Sequence, residues 1–491
     1  MAFILLSICF PIVSGLYLLV RKEFPKRGML LWTAGICLAL ASAFLGLALW
    51  QGGRESYTLW RLTAALSLEM HIDRLGIFFS VFATVIYLCA GLFSFAYMAH
   101  EEHEKRYYGF YLIVLGVLYA LCFAGNLITF YLFFELLTLS SVSLVLHKGS
   151  HEAVMAGLKY LFYSLCGAYM ALFGLYFVQR YGNTLSFTPG GVLGDAVSGH
   201  TELLLFVAFL MLVGFGVKAG MFPMHAWLPA AHPVAPAPAS AVLSAVIVKA
   251  GVLALIRVVY YIFGSDFLRG TWVQSVWMTL ALLTVFMGSM LAYREDVLKK
   301  RLAYSTVSQV SYILFGLAVM NDTGITGGLM QMLSHGFVKA ALFLCAGAII
   351  FQTGKTRVSE LKGIGKEMPV LMWCYTIASL GLIGIPPTGG FVSKWYLAAG
   401  SLSGGMKGFS WIGPAILLLS ALLTAGYLLP ITVQGFFPGD DYDYQALERR
   451  EPSAFMNLPV ILLTALSVVL GIWPGMIMGY LAEMITGWVR F

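Results

Sequence analysis

Long apolar runs separated by short polar turns fill almost the whole chain, and their lengths predict about 14 membrane-spanning helices. A hydrocarbon core takes about 20 apolar residues of helix per crossing. Runs of that length place spans at about 2–20, 29–50, 75–98, 108–124, 127–146, 153–179, 202–222, 237–263, 272–292, 302–320, 325–351, 369–399, 411–436 and 455–480. Met1 to Val20 is apolar throughout with no basic stretch ahead of it, so it reads as the first span rather than a cleaved leader. Tyr57 to Asp73 departs from the pattern. It alternates weakly and begins with β-forming residues, which predicts a short hairpin or interfacial strand on the outer side. The fold class is therefore an all-α polytopic membrane protein.

Two spans carry helix breakers beside a lysine. The seventh ends in Lys218-Ala-Gly-Met-Phe-Pro-Met-His-Ala-Trp-Leu-Pro229, and the twelfth contains Gly384-Ile-Pro-Pro-Thr-Gly-Gly-Phe-Val-Ser-Lys394. Proline removes a backbone donor and clashes with the preceding turn. Inside a membrane such breaks survive only where protein or water satisfies the freed backbone groups. The two breaks are five spans apart, so a five-helix repeat joining them must reinsert upside down, as in many transporters. Two unrelated proline kinks explain the same residues, and the halves share too little identity to decide.

Composition sharpens this picture. The chain is 60% hydrophobic and 11% charged, against about 25% charged in ordinary soluble domains. That excludes a soluble globular protein. The net charge of +7 is distributed by membrane side and does not point to nucleic acid. One set of alternate loops holds Arg21, Lys22, Lys26, Arg27, Lys105, Arg106, Lys148, Arg294, Lys299, Lys300, Arg301, Lys355, Arg357, Lys362, Lys366, Arg449 and Arg450. The other holds Arg54, Arg61, Arg74, Arg180, Arg269, Lys407 and Arg490. The richer set is expected to face the cytoplasm, which puts both termini outside a cell inner membrane and requires an even number of spans. The seven cysteines lie in apolar segments without a Cys-x-x-Cys pair, so they read as small buried residues rather than metal or iron–sulfur ligands. No nucleotide-binding or haem motif is legible. No cofactor is expected on this chain, and energy must come from an ion gradient or from partner subunits.

Against this background, charged residues inside the apolar runs stand out. Six cations, Lys159, Lys218, Lys249, Arg257, Lys339 and Lys394, are joined by one carboxylate, Glu135. Each charge at bilayer depth costs about 2.5–3.5 kcal/mol on insertion scales. Ion transport is the first hypothesis for such a series.

These residues, with their surroundings, resemble the antiporter-like subunits shared by respiratory complex I, complex I-related membrane-bound hydrogenases and Mrp-type cation/proton antiporters. The resemblance is carried by Phe222-Pro-Met-His-Ala-Trp-Leu-Pro-Ala-Ala-His-Pro-Val-Ala-Pro-Ala-Pro-Ala-Ser-Ala-Val-Leu-Ser244 followed by Lys249-Ala-Gly251, and by Glu135. It extends through Arg301-Leu-Ala-Tyr-Ser-Thr-Val-Ser-Gln309, Ser334-His-Gly-Phe-Val-Lys-Ala-Ala-Leu-Phe343 and Gly389-Gly-Phe-Val-Ser-Lys394. It implies 14 helices, broken helices 7 and 12, two inverted five-helix repeats and a polar axis along the membrane midplane. The implied organisation is residues 1–107 for helices 1–3 with the hairpin, 108–263 and 272–436 for the repeats, and 455–491 for the last helix. Two departures are visible. Ala230 stands where the family often has an acid, and no long lateral helix follows the fourteenth span, unlike the largest complex I member.

The implied proton-transfer residues are Glu135, Lys218, Lys249, His335, Lys339 and Lys394. Glu135 and Lys218 form a switch pair, because a carboxylate moving toward or away from a buried amine changes whether the amine holds its proton. A static pair that orients helices is the alternative. Lys249 is the central relay, and Lys394 the terminal proton-holding site. His335 and Lys339, four residues apart, share a helix face. Ser305, Ser308 and Gln309 either hold water between the central and terminal sites or bond within the bundle. His225 lines the axis or an access path, while His232 reads as a loop residue. Arg257 and Lys159 read as structural or snorkelling charges.

The leading expectation is a subunit translocating H⁺, and in some versions Na⁺, within a complex I-related redox assembly of respiratory or hydrogenase type. The alternative is the D subunit of a multi-subunit Mrp-type monovalent cation/proton antiporter. A purely structural anchor requires all the buried charges to be passive. The partners expected are other membrane subunits, the transported ion and the bilayer.

Overall fold

The computed structural model describes residues 2–22, 24–52, 56–63, 66–194, 197, 199–406, 408–440, 442, 443 and 448–489. Arg54, Lys407 and Arg490, counted among the loop charges, lie outside the described residues. The helices are α1 (Ala2–Val20), α2 (Arg27–Gln51), α3 (Arg74–Tyr97), α4 (Glu104–Cys122), α5 (Leu127–Val145), α6 (His151–Tyr181) and α7 (Thr201–Gly216). They continue with the short α8 (Leu228–Val234), then α9 (Ala237–Phe263), α10 (Trp272–Arg294), α11 (Leu298–Ala318) and α12 (Asp322–Thr353). The last are α13 (Pro369–Ile383), α14 (Gly389–Ser403), α15 (Phe409–Phe436), α16 (Ala454–Ile472) and α17 (Gly475–Ile485).

Among the described residues, ten helices are long and apolar enough to cross a membrane. Basic or polar residues in α4 and α11 lower their apolar character, although both are long enough for a crossing. The twelfth predicted span is two half-helices, α13 and α14, and the seventh is α7 with a break at its end, beyond which the short α8 follows. The fourteenth is shorter than its apolar run: Trp473 and Pro474 end α16, and the chain restarts as α17. Tyr57–Arg61 (β1) and Ser67–Met70 (β2) form the expected hairpin, antiparallel with a register irregularity between Thr58 and Trp60.

Local chemistry fixes several helix starts. Asp73, Asn126, Ser150 and Asn321 accept from Gly76, Thr129, Ala153 and Gly324 N–H groups at 2.8, 2.9, 3.2 and 2.7 Å. Each satisfies an orphan donor of a helix N-terminus. α9 is buried along its whole length and α12 almost entirely, whereas α1, α2, α6 and α15 expose large apolar faces. The outside is therefore apolar and the polar residues point inward, as expected for a bundle solvated by lipid. α9 and α12 pack on each other and join the two halves of the chain.

On the hairpin side, Arg257 at the foot of α9 is buried and makes a two-pronged ion pair with Asp73, at 2.5 and 2.9 Å. Its guanidinium also lies 4.7 Å from the Phe187 ring and 4.8 Å from the Tyr261 ring. This is a structural charge that staples the start of α3 to α9; it does not snorkel. Nearby, Trp488 is buried against Tyr260 and Tyr261 and donates Nε1 to the Tyr261 hydroxyl at 3.1 Å, which folds the chain after α17 back onto α9. Lys159 is exposed on α6.

Candidate functional site

The first break begins where α7 stops at Gly216. Gly220, with φ +73°, turns the chain, and a Phe222–Pro223 cis bond follows. Two freed backbone groups find partners. Phe222 N–H donates to Thr284 Oγ1 at 3.0 Å, and the Val217 carbonyl accepts from Trp227 Nε1 at 2.9 Å. Lys218 lies inside this break and is buried. Its Nζ donates to Thr138 Oγ1 at 2.5 Å and sits 4.6 Å from the Phe134 ring centre. Glu135 is one turn before Thr138 on the same face of α5. The Glu135 and Lys218 charges interact, yet they form no direct ion pair, and Glu135 Oε1 is buried without a hydrogen-bond partner. The amine thus rests on a hydroxyl beside a free carboxylate.

Gly251 connects this break to the next lysine. A side chain there would meet Ala219 N at 2.5 Å and the Lys218 carbonyl carbon at 3.0 Å, so only glycine lets α9 approach the break so closely. Lys249, two residues before it, is fully buried. Its Nζ donates to the Ser244 carbonyl at 2.6 Å. Residues Leu243–Ile247 form a π-helical turn, a local widening that often accompanies functional sites because it displaces carbonyls from the regular ladder. Ser244 Oγ is 2.8 Å from Thr306 Oγ1 of α11.

On α12, Lys339 is fully buried and donates Nζ to the Leu302 carbonyl at 3.0 Å. His335, one turn earlier, is buried with neither ring nitrogen bonded. The charges of Lys249, Lys339 and Lys394 all reach it. From α11, Gln309 Oε1 accepts from Gln331 Nε2 at 2.8 Å, and Gln331 Oε1 accepts from Ser393 Oγ at 2.6 Å. This amide chain links α11, α12 and the residue preceding Lys394. Gln309 Nε2 has no partner.

Lys394 ends the series. Its Nζ donates to the Leu382 and Ile383 carbonyls at 2.6 and 2.7 Å and lies 5.2 Å from the Tyr312 ring centre. Those carbonyls are the last of α13, left free because the helix stops at Gly384, φ +95°. A side chain on Gly384 would come within 2.8 Å of Lys394 Cδ, so the glycine leaves space for the lysine stem.

The structure therefore gathers the candidate residues into two clusters, Glu135 with Lys218 and Lys249 with His335, Lys339 and Lys394, which touch through Gly251. Ser305 and Ser308 of α11 bond to other side chains of the bundle. Ser305 Oγ is 2.6 Å from the Tyr427 hydroxyl, and Ser308 joins Ser289 and Ser420, at 2.9 and 3.3 Å. His225 is half-buried beside Phe222, with Nδ1 unbonded. His232 differs from its loop assignment: it is fully buried in α8, stacked 4.5 Å from the Phe343 ring, with both nitrogens unbonded. Pro229 sits in the first turn of α8, where its missing N–H costs nothing, and this histidine falls on the buried side of that helix. Lys299, read as a loop charge, is also buried and donates to the Ala235 carbonyl at 2.9 Å. Its long stem reaches the gap between α8 and α9. Thr138, Gln331 and Ser393 were missed by sequence reasoning. Their signal was a polar side chain in an apolar run, too common among bundled helices to single them out.

Comparison with known proteins places this geometry. Residues 124–438 match the family model described as NADH:quinone oxidoreductase/Mrp antiporter, TM, and residues 61–108 match NADH-Ubiquinone oxidoreductase (complex I), chain 5 N-terminus. The chain is 31% identical to NADH-quinone oxidoreductase subunit N of Desulforudis audaxviator (strain MP104C) over 485 residues, 96% of this chain and 95% of that one. It is 28% identical to the D subunit of the Na(+)/H(+) antiporter of Bacillus subtilis (strain 168), covering 96% and 94% of the two chains. Its fold is similar to a chain of the membrane-bound sulfane sulfur reductase, an archaeal respiratory membrane complex, with TM-score 0.87, 23% identity and coverage of 99% and 98%.

Proposed function

Because the chain belongs to the NADH:quinone oxidoreductase/Mrp antiporter family of multi-pass membrane proteins, we propose that it is an ion-translocating subunit of a complex I-related redox assembly. Protons move along Glu135, Lys218, Lys249, Lys339 with His335, and Lys394. One observation carries the reading: three buried amines and the half-buried amine of Lys394 are held only by neutral oxygens, a hydroxyl for Lys218 and backbone carbonyls for Lys249, Lys339 and Lys394. A buried ammonium without a counter-ion is expensive, so purely structural lysines are normally paired. Here a small change of surroundings decides whether each amine carries its proton.

Lys218 is the switch. Its amine passes between Thr138 and Glu135 by a shift of one helical turn. Gln309, Gln331 and Ser393 order the polar path from the central lysines toward Lys394. Ser305 and Ser308 brace α11 from behind, and His225 lines an access path beside the first break. Residues 108–263 and 272–436 act as inverted repeats around this axis, in a cell inner membrane with both termini outside. The basic loops support that orientation. Other membrane subunits complete the assembly.

The second reading, the D subunit of a secondary cation/proton antiporter, is favoured by the near full-length match to the Bacillus subtilis protein. Ion flux in membrane vesicles containing the intact complex separates the two. The redox reading expects proton movement driven by an electron donor without a sodium gradient. Movement driven only by an imposed cation gradient supports the antiporter and overturns the redox reading.

A further inference from the structure

Lys394 is tied, through the half-helix that precedes it, to a carboxylate at the other end of that half-helix. The C-terminal carbonyls of α13 hold the Lys394 amine. At the N-terminus of the same helix, Pro369 has no N–H, and the next two donors, Val370 and Leu371, both bond Glu451, at 3.2 Å to Oε2 and 2.9 Å to Oε1. Glu451 is not part of α13; it precedes α16. Asn457 of α16 donates Nδ2 to Glu451 Oε1 at 3.3 Å and to the Pro452 carbonyl at 3.1 Å, which orients the carboxylate. Arg450 N–H donates to the Glu367 carbonyl at 3.0 Å, so the segment is anchored on both sides of the cap. Among the described residues, no side chain bonds the first N–H groups of α7 in this way.

We propose that Glu451 is a positioning residue for the terminal site: it fixes α13, and thereby the two carbonyls that hold Lys394. The segment before α16 thus governs how firmly the amine is held. The inference rests on Lys394 being the terminal proton-holding site. The link is mechanical, because α13 is about 22 Å long and helix-dipole effects fade within one turn. α14 starts directly against α13: a side chain on Gly390 would lie 1.9 Å from the Gly381 carbonyl oxygen, so a shift of α13 changes its fit to α14 and the distance from its last carbonyls to Lys394. Lys394 faces the Tyr312 ring, and its charge reaches His335. Around Glu451 the other titratable groups are Arg450 with Glu448, the Lys355–Glu367 pair, Cys345 and Cys374.

The test uses the assembled complex in membranes, with proton transport measured against pH. Glu451→Ala lowers the rate about two- to thirtyfold, the range to which loss of one helix cap converts. It also shifts the pH profile, and Glu451→Asp restores most of both. In a Lys394→Ala background proton uptake persists while release fails, and adding Glu451→Ala leaves that uptake unchanged. A wild-type rate and pH profile in Glu451→Ala overturns the proposal, as does a further loss of uptake in the double variant. Where Glu451→Ala does not assemble, Asn457→Ala carries the same expectation in milder form, and a wild-type profile there also overturns it. Normal release in Lys394→Ala alone overturns the role of Lys394 itself, whatever Glu451 does.

Discussion

The lysine of the first broken helix precedes its proline and reaches sideways to another helix, whereas that of the second follows its prolines and reaches back across the break to the preceding half-helix. Lys218 rests on Thr138 of α5, beside the unbonded Glu135. Lys394 rests on two carbonyls at the end of α13. A carbonyl cannot ionise, so the second site answers to how the two halves of one broken span meet. The first answers to the relative position of two helices, and one of them supplies a carboxylate. Similar breaks thus yield one amine beside the carboxylate of a neighbouring helix and one held by backbone carbonyls alone.

The largest expected effect is at the switch. Lys218→Ala or Glu135→Ala abolishes coupled transport while the complex still assembles, as judged by flux in vesicles beside native electrophoresis of the membranes. A static ion pair would give the opposite outcome, lost assembly with normal flux in whatever assembles. Next comes the contact between α9 and the first break. Gly251→Val forces the two apart and costs about 1–3 kcal/mol by overpacking, seen as a lower unfolding temperature of the purified complex together with slower transport. If it leaves both unchanged, the close approach does not matter and the two clusters are not joined there. The smallest effect belongs to Thr138→Val, which removes the hydroxyl under Lys218 at nearly constant shape. Leaving a buried polar group unbonded costs about 1–3 kcal/mol, and the amine is driven toward Glu135. Transport slows by about tenfold, and its pH profile moves. An unchanged profile means that Thr138 is only a resting place.

Much of this arrangement was legible in the chain. Ala237–Phe263 coincides with the eighth apolar run, and the Gly384-Ile-Pro-Pro stretch marks the second break. The lysines showed themselves because a cation in an apolar run is conspicuous. Their partners did not, since three of the four amines bond backbone carbonyls, and a carbonyl has no letter in the sequence. Lys299 and His232 were misplaced for a related reason. Polar residues near span ends read as loop, but a four-carbon stem and a short helix with a proline in its first turn carry them inward. Glu451 was illegible because the helix it caps lies some eighty residues earlier in the chain.

The central claim is that Lys218 and Lys394 are the two ends of one conduit, which must then pass Lys249. Proton flux in vesicles of the assembled complex carrying Lys249→Ala, with both end lysines intact, tests it most directly. The expected result is flux no greater than in membranes lacking the complex. Flux equal to that of the unaltered protein would contradict the conduit.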